Sequence, residues 1–497
     1  MFAELGISED DWQQTPQAVR TALAVVWQQN RFLMSRCTVY ETQVERLQTQ
    51  VAELETLRLE VAELRERLGR NSQNSSQPPS ADPPFQRPAR SHQKTGRKRG
   101  GQPGHTGYGR KLIRLPEVDH VIELRPTACA QCGGLLLGDD PQPVRRQISE
   151  IPPTRVIITE YQLHTLSCLH CGNANTAAWP ADLPTGSFGP RVQAIVGYLT
   201  GHLHLSHRAV TSALRDLHGL PLGLGSIAAL QRQVAQALDQ PVATVEKFIA
   251  QQLHHHADET GWRTNHKTYW LWVDATAQAT RFRIDAHRNQ AAAQKLLGSK
   301  VSGIVNTDRC GAYNWVNEER RQFCWAHLQR DFQAIAERGG AAGAVGTALL
   351  ETVKELFTEW HRYRAGTYDW VTFQRAMQPI QQQINTQLQA GKACGEQKTV
   401  GTCQHILQGE TSLWTFTREA GTEPTNNAAE RAIRPAVLWR RKSFGTQSAT
   451  GNEFVERILT AVTTLRQQKR NVLDWLTNAC TAALGTPAPC CLLPNTS

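Results

Sequence analysis

Residues 71 to 88 read NSQNSSQPPSADPPFQRP and offer a folding chain almost nothing to bury. Such a stretch stays a linker, because too little apolar surface is available to offset the entropy of ordering it. It divides the chain. Ahead of it lies an N-terminal helical region, and further domains follow it. At 497 residues the expectation is roughly two to four domains.

Ahead of the linker, Val44, Leu47, Val51, Leu54, Leu57, Val61, Leu64 and Leu68 recur in steps of three and four with charges and Gln between them. That is the pattern of a coiled-coil seam, overwound locally by the two successive three-residue steps at Val51, Leu54 and Leu57. A single amphipathic helix packed on its own domain would carry the same stripe. The polar character of the other faces favours self-association, and so a homo-oligomer.

Beyond the linker the charge changes. From Arg87 to Arg114 there are nine Lys or Arg and no acid, around a Gly-rich centre, GRKRGGQPGHTG. Arg97, Lys98, Arg99, Arg110 and Lys111 are candidate DNA contacts, since a flexible basic segment can enter a minor groove or lie along phosphates. A plain solvated charge run is the alternative. The net charge of +10 also calls for an anionic partner. The acidic start, MFAELGISEDDWQQ, lacks the features of a secretion signal, and no later stretch approaches the ~18 apolar residues of a membrane span. A cytoplasmic, nucleoid-associated protein without a membrane partner is expected.

Of 12 cysteines, four fall in two pairs, Cys129-Ala-Gln-Cys132 and Cys168-Leu-His-Cys171, each followed by Gly. Cys490 and Cys491 are adjacent in the tail, and reduced thiols are expected throughout. CxxC lets a tight turn present two sulfurs to one ion, and zinc takes four in a tetrahedron. One structural Zn2+ held by Cys129, Cys132, Cys168 and Cys171 is the resulting expectation, with the alternating stretch RRQISEIPPTRVIITEYQLHTLSC as a hairpin bringing the pairs together. Thiols that merely pack are the alternative.

Residues 190 to 250 carry a helical pattern, with two helices broken at His218-Gly219-Leu220-Pro221 and Ser226 capping the second. This fits a helix-turn-helix or any small helical bundle. Strands are expected in LHHHADET, TYWLWVDATAQATRFRID and VSGIVNTD; residues 333 to 420 then read as helical, and a helix is expected over 452 to 482.

Breaking a phosphodiester bond requires a deprotonated nucleophile and a stabilised leaving oxygen, which two divalent ions about 4 Å apart supply. Mg2+, or Mn2+ in its place, takes oxygen ligands, so carboxylates are suitable anchors. Asp258 is expected at a strand end beside Glu259, Asp308 ends VSGIVNTD, and Glu430 opens a helix in TNNAAERAIRPAVLWRRKS. Each has a structural alternative: a turn at Asp308-Arg309-Cys310-Gly311, and a capping box joining Asn427 to Glu430. Arg431, Arg434, Arg440, Arg441 and Lys442 come close behind, with Arg431 and Arg434 the candidates for holding phosphates. Cys324 and His327 have CxxH spacing; core packing is the default reading, with support of the site or a separate zinc site as the alternatives. His254, His255 and His256 alternate faces on a strand and are read as supporting or core residues.

HADETGWR, NTDRCGAY, FCWAHLQRDF and TNNAAERAIRP, with GRKRGGQPGHTG and the paired CxxC, resemble the signature blocks of the IS sixty-six family of insertion-sequence transposases. The resemblance covers most of the chain in one order. It implies a multidomain α/β protein with a ribonuclease-H-like DDE catalytic core, in which Asp258, Asp308 and Glu430 are catalytic and hold two Mg2+. It implies binding to the element's terminal inverted repeats, joining of cut 3′ ends to target DNA, and small accessory proteins as partners. The expected layout is a coiled-coil region over 1-70, a basic linker over 71-115, a zinc module over 116-180 and a helical region over 181-250. The catalytic domain spans 251-450 with a helical insertion about 333-420, and a helix and tail span 451-497. One departure is Thr425, where many relatives have Asp. The alternative function is a transposase-derived DNA-binding protein without catalysis.

Overall fold

A computed structural model describes residues 6–69, 75–76, 111–184, 186–486 and 490–493. The chain divides into two units, Met1–Pro88 and Ala89–Ser497. In the first, α1 (Glu9–Gln14) is capped by the Ser8 hydroxyl, which accepts the Asp11 N–H at 3.2 Å. It is succeeded by α2 (Gln17–Gly69), 53 residues in one helix and about 80 Å long. This helix starts well before the apolar stripe read from the sequence. The eight stripe residues remain 45% to 80% exposed.

The second unit opens with little regular structure. Two short hairpins frame the CxxC pairs, one marked by an Ala128–Leu135 bridge and one formed by β1 (Thr165–Ser167) and β2 (Ala174–Thr176). The long strand expected between the pairs does not form. Ile148, Ile151, Ile157 and Ile158 are more than 80% exposed, so neither face of that stretch has a core to pack on. Pro152 and Pro153 also remove ladder donors.

Helices α3 (Pro190–Gly197), α4 (His207–His218), α5 (Leu224–Ala237) and α6 (Asp239–Ile249) come next, with a π-turn at Tyr198–His202 extending α3. Ser206 caps α4 by accepting the Ala209 N–H. Ser226 does not cap α5: the cap residue is Gly223, and Ser226 lies in the first turn, its own N–H on the Gly223 carbonyl. Val196, Val210, Leu214, Ile227 and Leu230 form a small core among α3, α4 and α5.

A five-stranded sheet comes after them, built from β3 (His254–Thr264), β4 (Lys267–Ala275), β5 (Thr280–Asp285), then after α7 (Gln290–Leu297), β6 (Ile304–Thr307) and β7 (Arg321–Phe323). Its order is β5-β4-β3-β6-β7, with β3, β4 and β5 antiparallel and β6 and β7 parallel to β3. The β3–β4 turn is two residues, Asn265 and His266, both at positive φ, the geometry that matches strand twist in tight hairpins. Gly303 lets β6 come in beside β3, because a Cβ there would lie 2.6 Å from the Gln252 carbonyl.

Between sheet and C-terminus, α8 (Trp325–Ala336), α9 (Gly340–Arg364), α10 (Trp370–Lys392), α11 (Gln397–Gln408), α12 (Glu410–Leu413) and α13 (Thr415–Arg418) surround their own core of Trp325, Phe332, Trp360, Phe373 and Phe416. The chain then returns to the sheet with α14 (Asn427–Ser443), α15 (Ala449–Gln467) and α16 (Val472–Ala482). No break in packing falls at residues 250 or 450: Val234 and Ile249 share a core with Trp262, Leu271, Ala436, Ile458 and Leu476. The open edge of β5 is closed by side chains of α15. The N–H groups of Thr280, Phe282 and Ile284 donate to Thr464, Thr460 and Glu456 at 3.1, 3.1 and 2.6 Å. Alternate residues of an edge strand and every fourth residue of a helix are thereby matched.

Candidate functional site

Register places the first two acids. The parallel β3–β6 ladder ends at His256 opposite Asn306, so Asp258 stands two residues further along β3 and Asp308 just past the end of β6, on neighbouring strands that lie about 4.8 Å apart. Asp258 is inside β3 rather than at its end, because β3 continues to Thr264 in its hairpin with β4. It does stand just past the end of the parallel ladder.

The third acid arrives by a clamp. Asn306 Nδ2 donates to the carbonyls of Glu423 and Thr425 at 2.6 and 3.2 Å, and Asn426 Nδ2 donates to the Ala257 carbonyl at 2.7 Å. The Asn426 N–H meets Cys324 Sγ at 3.1 Å, and the Cys324 N–H reaches the Thr307 carbonyl at 2.9 Å. The segment that starts α14 is thus tied to both acid-bearing strands, and Glu430 lies one turn beyond it. No capping box forms: Asn426, not Asn427, is the cap residue, and Glu430 Oε1 is buried without a hydrogen-bond partner. At Asp308 the turn and the site coexist, since Oδ1 accepts the Cys310 N–H at 2.9 Å.

Asp308 and Glu430 are both near enough to act on Asp258. Burial first, then the charges of Glu259, Asp308 and Glu430, push the Asp258 carboxyl well above the usual range. Glu259 is raised too, by burial and by Asp308, but it is engaged: Arg288 donates to it at 2.8 Å and the Tyr313 hydroxyl at 2.6 Å. Among the described residues, Asp258 accepts only the neighbouring Glu259 N–H. Two clusters of possible metal ligands lie among the described residues, Glu259 with Asp308 and Cys310, and Cys324 with His327 and Glu430; Asp258 stands outside both.

His327, Asn306, Asn426 and Glu259 are the contributors that sequence reasoning left without a defined part. The CxxH spacing and the doubled Asn were the available signals. His255 turns away from the site to a buried cluster, its Nδ1 3.1 Å from Asp274, which also takes Arg281 at 2.9 Å. Against the cost of its burial, the Asp274 charge raises His255. His254 and His256 join no metal-ligating cluster among the described residues.

Arg431 and Arg434 line a groove of about 660 Å3 with His202, His204, Pro435 and Arg466. Arg440, by contrast, is used on β3, donating to Thr260 Oγ1 at 3.2 Å. Lys111 is exposed and without regular structure. Arg97, Lys98, Arg99 and Arg110 lie outside the described residues.

Each CxxC pair forms a tight turn of the same design. Cys129 N–H bonds the Gly134 carbonyl and Gly133 N–H the Cys129 carbonyl; Cys168, Asn173 and Gly172 repeat this. Gly133 and Gly172 both sit at φ +71°, where an L side chain is strained. The backbone N–H groups of Cys132 and Gln131, then the Cys132 thiol, hold Cys129 below its ordinary value; Cys171 and His170 do the same for Cys168. Both turns therefore favour thiolate, the metal-binding form. The two pairs do not meet in one group of ligand atoms among the described residues. All 12 cysteines are free, and among the described residues no helix is long and apolar enough to cross a membrane.

Comparison with known proteins first defines a class of DNA-processing enzyme, a transposase with a zinc finger. Residues 126–172, spanning all four knuckle cysteines, match the zinc-finger binding domain of transposase IS66. Residues 185–453, more than half of the chain, match the Transposase IS66 family, and the chain belongs to that family. Residues 28–111 match a family of unknown function. Among curated relatives, the uncharacterized protein y4qI of Sinorhizobium fredii (strain NBRC 101917 / NGR234) is 26% identical over 77% of this chain and 75% of its own. The uncharacterized protein y4hP of the same strain is 22% identical over 72% and 71%.

Proposed function

We propose that this transposase binds the terminal inverted repeats of its insertion sequence, cleaves at the element ends and joins the 3′ ends to target DNA, with Asp258, Asp308 and Glu430 as the catalytic acids. The observation that carries this reading is the convergence on the buried Asp258 of Asp308 and Glu430, which come from 50 and 172 residues further along the chain and whose charges, after burial and Glu259, push its carboxyl up. Burying like charges together is unfavourable unless cations compensate them. The donor set fits Mg2+ or Mn2+: it is rich in carboxylate oxygen, Glu430 Oε1 lacks a partner, and Asp258 is bonded only by the adjacent backbone.

Asp258, Asp308 and Glu430 would hold two such ions, which supply a deprotonated nucleophile and a stabilised leaving oxygen when bound. The chain's own contribution is placement. The sheet order, an antiparallel meander with two parallel strands added beside β3, supports a ribonuclease-H-like core. It sets two acids side by side, and the Asn306 and Asn426 clamps fix the third. Arg431 and Arg434, within a turn of Glu430 on α14, contact backbone phosphates of the strand being processed, and the basic segment through Lys111 holds DNA outside the site. The two CxxC turns, which stand apart among the described residues, would close on one structural Zn2+ through Cys129, Cys132, Cys168 and Cys171. The exposed seam of α2 pairs two copies as a coiled coil.

A strand-transfer assay with labelled element ends and Mg2+ tests the reading. Wild type is expected to nick and join, and Asp308→Asn to bind the ends without doing either. Equal products from both proteins would refute the catalytic assignment. A wild type that binds but never cuts would instead favour a DNA-binding descendant.

A further inference from the structure

The acids are not the only side chains reaching the cluster. His327, in the first turn of α8, sets Nδ1 3.6 Å from Glu430 Oε1. Both atoms are shut off from solvent and neither has a hydrogen-bond partner. Buried polar atoms are nearly always satisfied, and Arg330 Nη2 stands 4.0 Å from Glu430 Oε1, beyond hydrogen-bond reach, so the two facing atoms point to a shared partner. They are too far apart for a good hydrogen bond to each other, which needs about 3.2 Å or less. They are close enough to share an ion, since two ligands each about 2.1 Å from one metal lie at most about 4.2 Å apart.

Cys324 completes this group, with all three ligand atoms within 4.8 Å of one another. Its sulfur, however, already accepts the Asn426 N–H at 3.1 Å. That bond gives the thiol a different task, fixing the start of the helix that carries Glu430.

We propose that His327 Nδ1 is a ligand of the divalent ion held by Glu430, making one of the two metal positions a mixed nitrogen–oxygen site, with Cys324 a positioning residue beside it. This rests on reading the acids as a two-ion centre. Its consequence is selectivity. Imidazole suits borderline transition ions better than Mg2+, so Mn2+ is held more tightly at this position than an all-oxygen site would hold it.

Pulsed EPR of full-length protein loaded with Mn2+ reads the ligand directly. Expected is a nitrogen coupling from one bound imidazole, lost in His327→Gln while Mn2+ still binds with roughly tenfold lower affinity, the scale on which metal-site partners act. Mn2+ bound in a manner sensitive to Asp308→Asn but with no nitrogen coupling overturns the proposal, as does coupling that survives His327→Gln. Should that variant fail to fold, His256→Gln decides: coupling retained there supports His327, and coupling lost overturns it. Absence of any Mn2+ binding sensitive to Asp308→Asn would refute the two-ion reading itself, a distinguishable failure.

Discussion

Asn426 Nδ2 donates a 2.7 Å hydrogen bond to the carbonyl of Ala257, the residue before Asp258. This one contact joins the block carrying the third acid to the strand carrying the first. Asn426 is fully buried, so truncation leaves an orphaned carbonyl and a void. Asn426→Ala is expected to cost about 2 kcal/mol of stability and, by letting Glu430 drift, on the order of a hundredfold in end cleavage, with DNA binding retained. Cleavage at the wild-type rate in a folded Asn426→Ala protein would remove the clamp from the account.

The adjacent acids Asp258 and Glu259 should behave oppositely. Glu259 is satisfied by Arg288 and Tyr313, whereas Asp258 has lone pairs to spare. Asp258→Asn is expected to abolish joining and Mn2+ binding. Glu259→Gln should lower the melting temperature by weakening the Arg288 pair, yet keep joining within about tenfold, as electrostatic losses one residue removed from the metals are modest beside loss of a ligand. The reverse pattern would move the first-acid role to Glu259.

Range in sequence decides what is legible without a structure. Asp308 directly follows the short apolar strand β6 and Asp258 lies within β3, and the CxxC pairs are local turns, so the placement of these residues on strands and turns is legible locally. The Asn426 clamp and the Glu430–His327 approach join segments about a hundred residues or more apart, and no periodicity encodes them. Asn427 looked like the cap because capping boxes are short-range patterns, while the strand contacts that recruit Asn426 are not. The expected strand between the knuckles failed for a related reason: alternation predicts a strand only where one face finds a core, and Ile157 and Ile158 find none. The edge of β5 capped by α15 left no trace, since Thr460 and Thr464 read as ordinary helix residues.

For the knuckles, Cys129→Ser removes one sulfur from a turn whose backbone already favours thiolate. Zinc content of the purified protein is expected to fall from one ion per chain to nearly none, because three remaining ligands bind far more weakly than four. Unchanged stoichiometry would mean that the cysteines serve packing alone.

For α2, Leu54 is 56% exposed in the middle of the stripe. An apolar row of this length is normally covered by a partner. Leu54→Glu places a charge in the seam and is expected to shift the mass in light scattering from dimer or higher toward monomer. A wild type that is already monomeric at micromolar concentration would count against the seam.

The capped edge of β5 makes a separate prediction about acidity. Glu456 Oε1 accepts the Ile284 N–H, and burial, the leading cause, drives its pKa up to about 7. Unfolded, the same carboxyl titrates at about 4.3. The native state therefore binds the extra proton between those values, and stability falls as pH rises through that window, levelling off above about 7. The full penalty is about 4 kcal/mol as an upper figure, with the relief from the nearby Arg283 already included. Glu456→Gln keeps the amide oxygen on Ile284 but has no charge to bury. Its melting temperature should match wild type near pH 4.5 and exceed it by several degrees at pH 8. Parallel melting curves across pH 4.5 to 8 would show that the buried carboxyl does not titrate in this range.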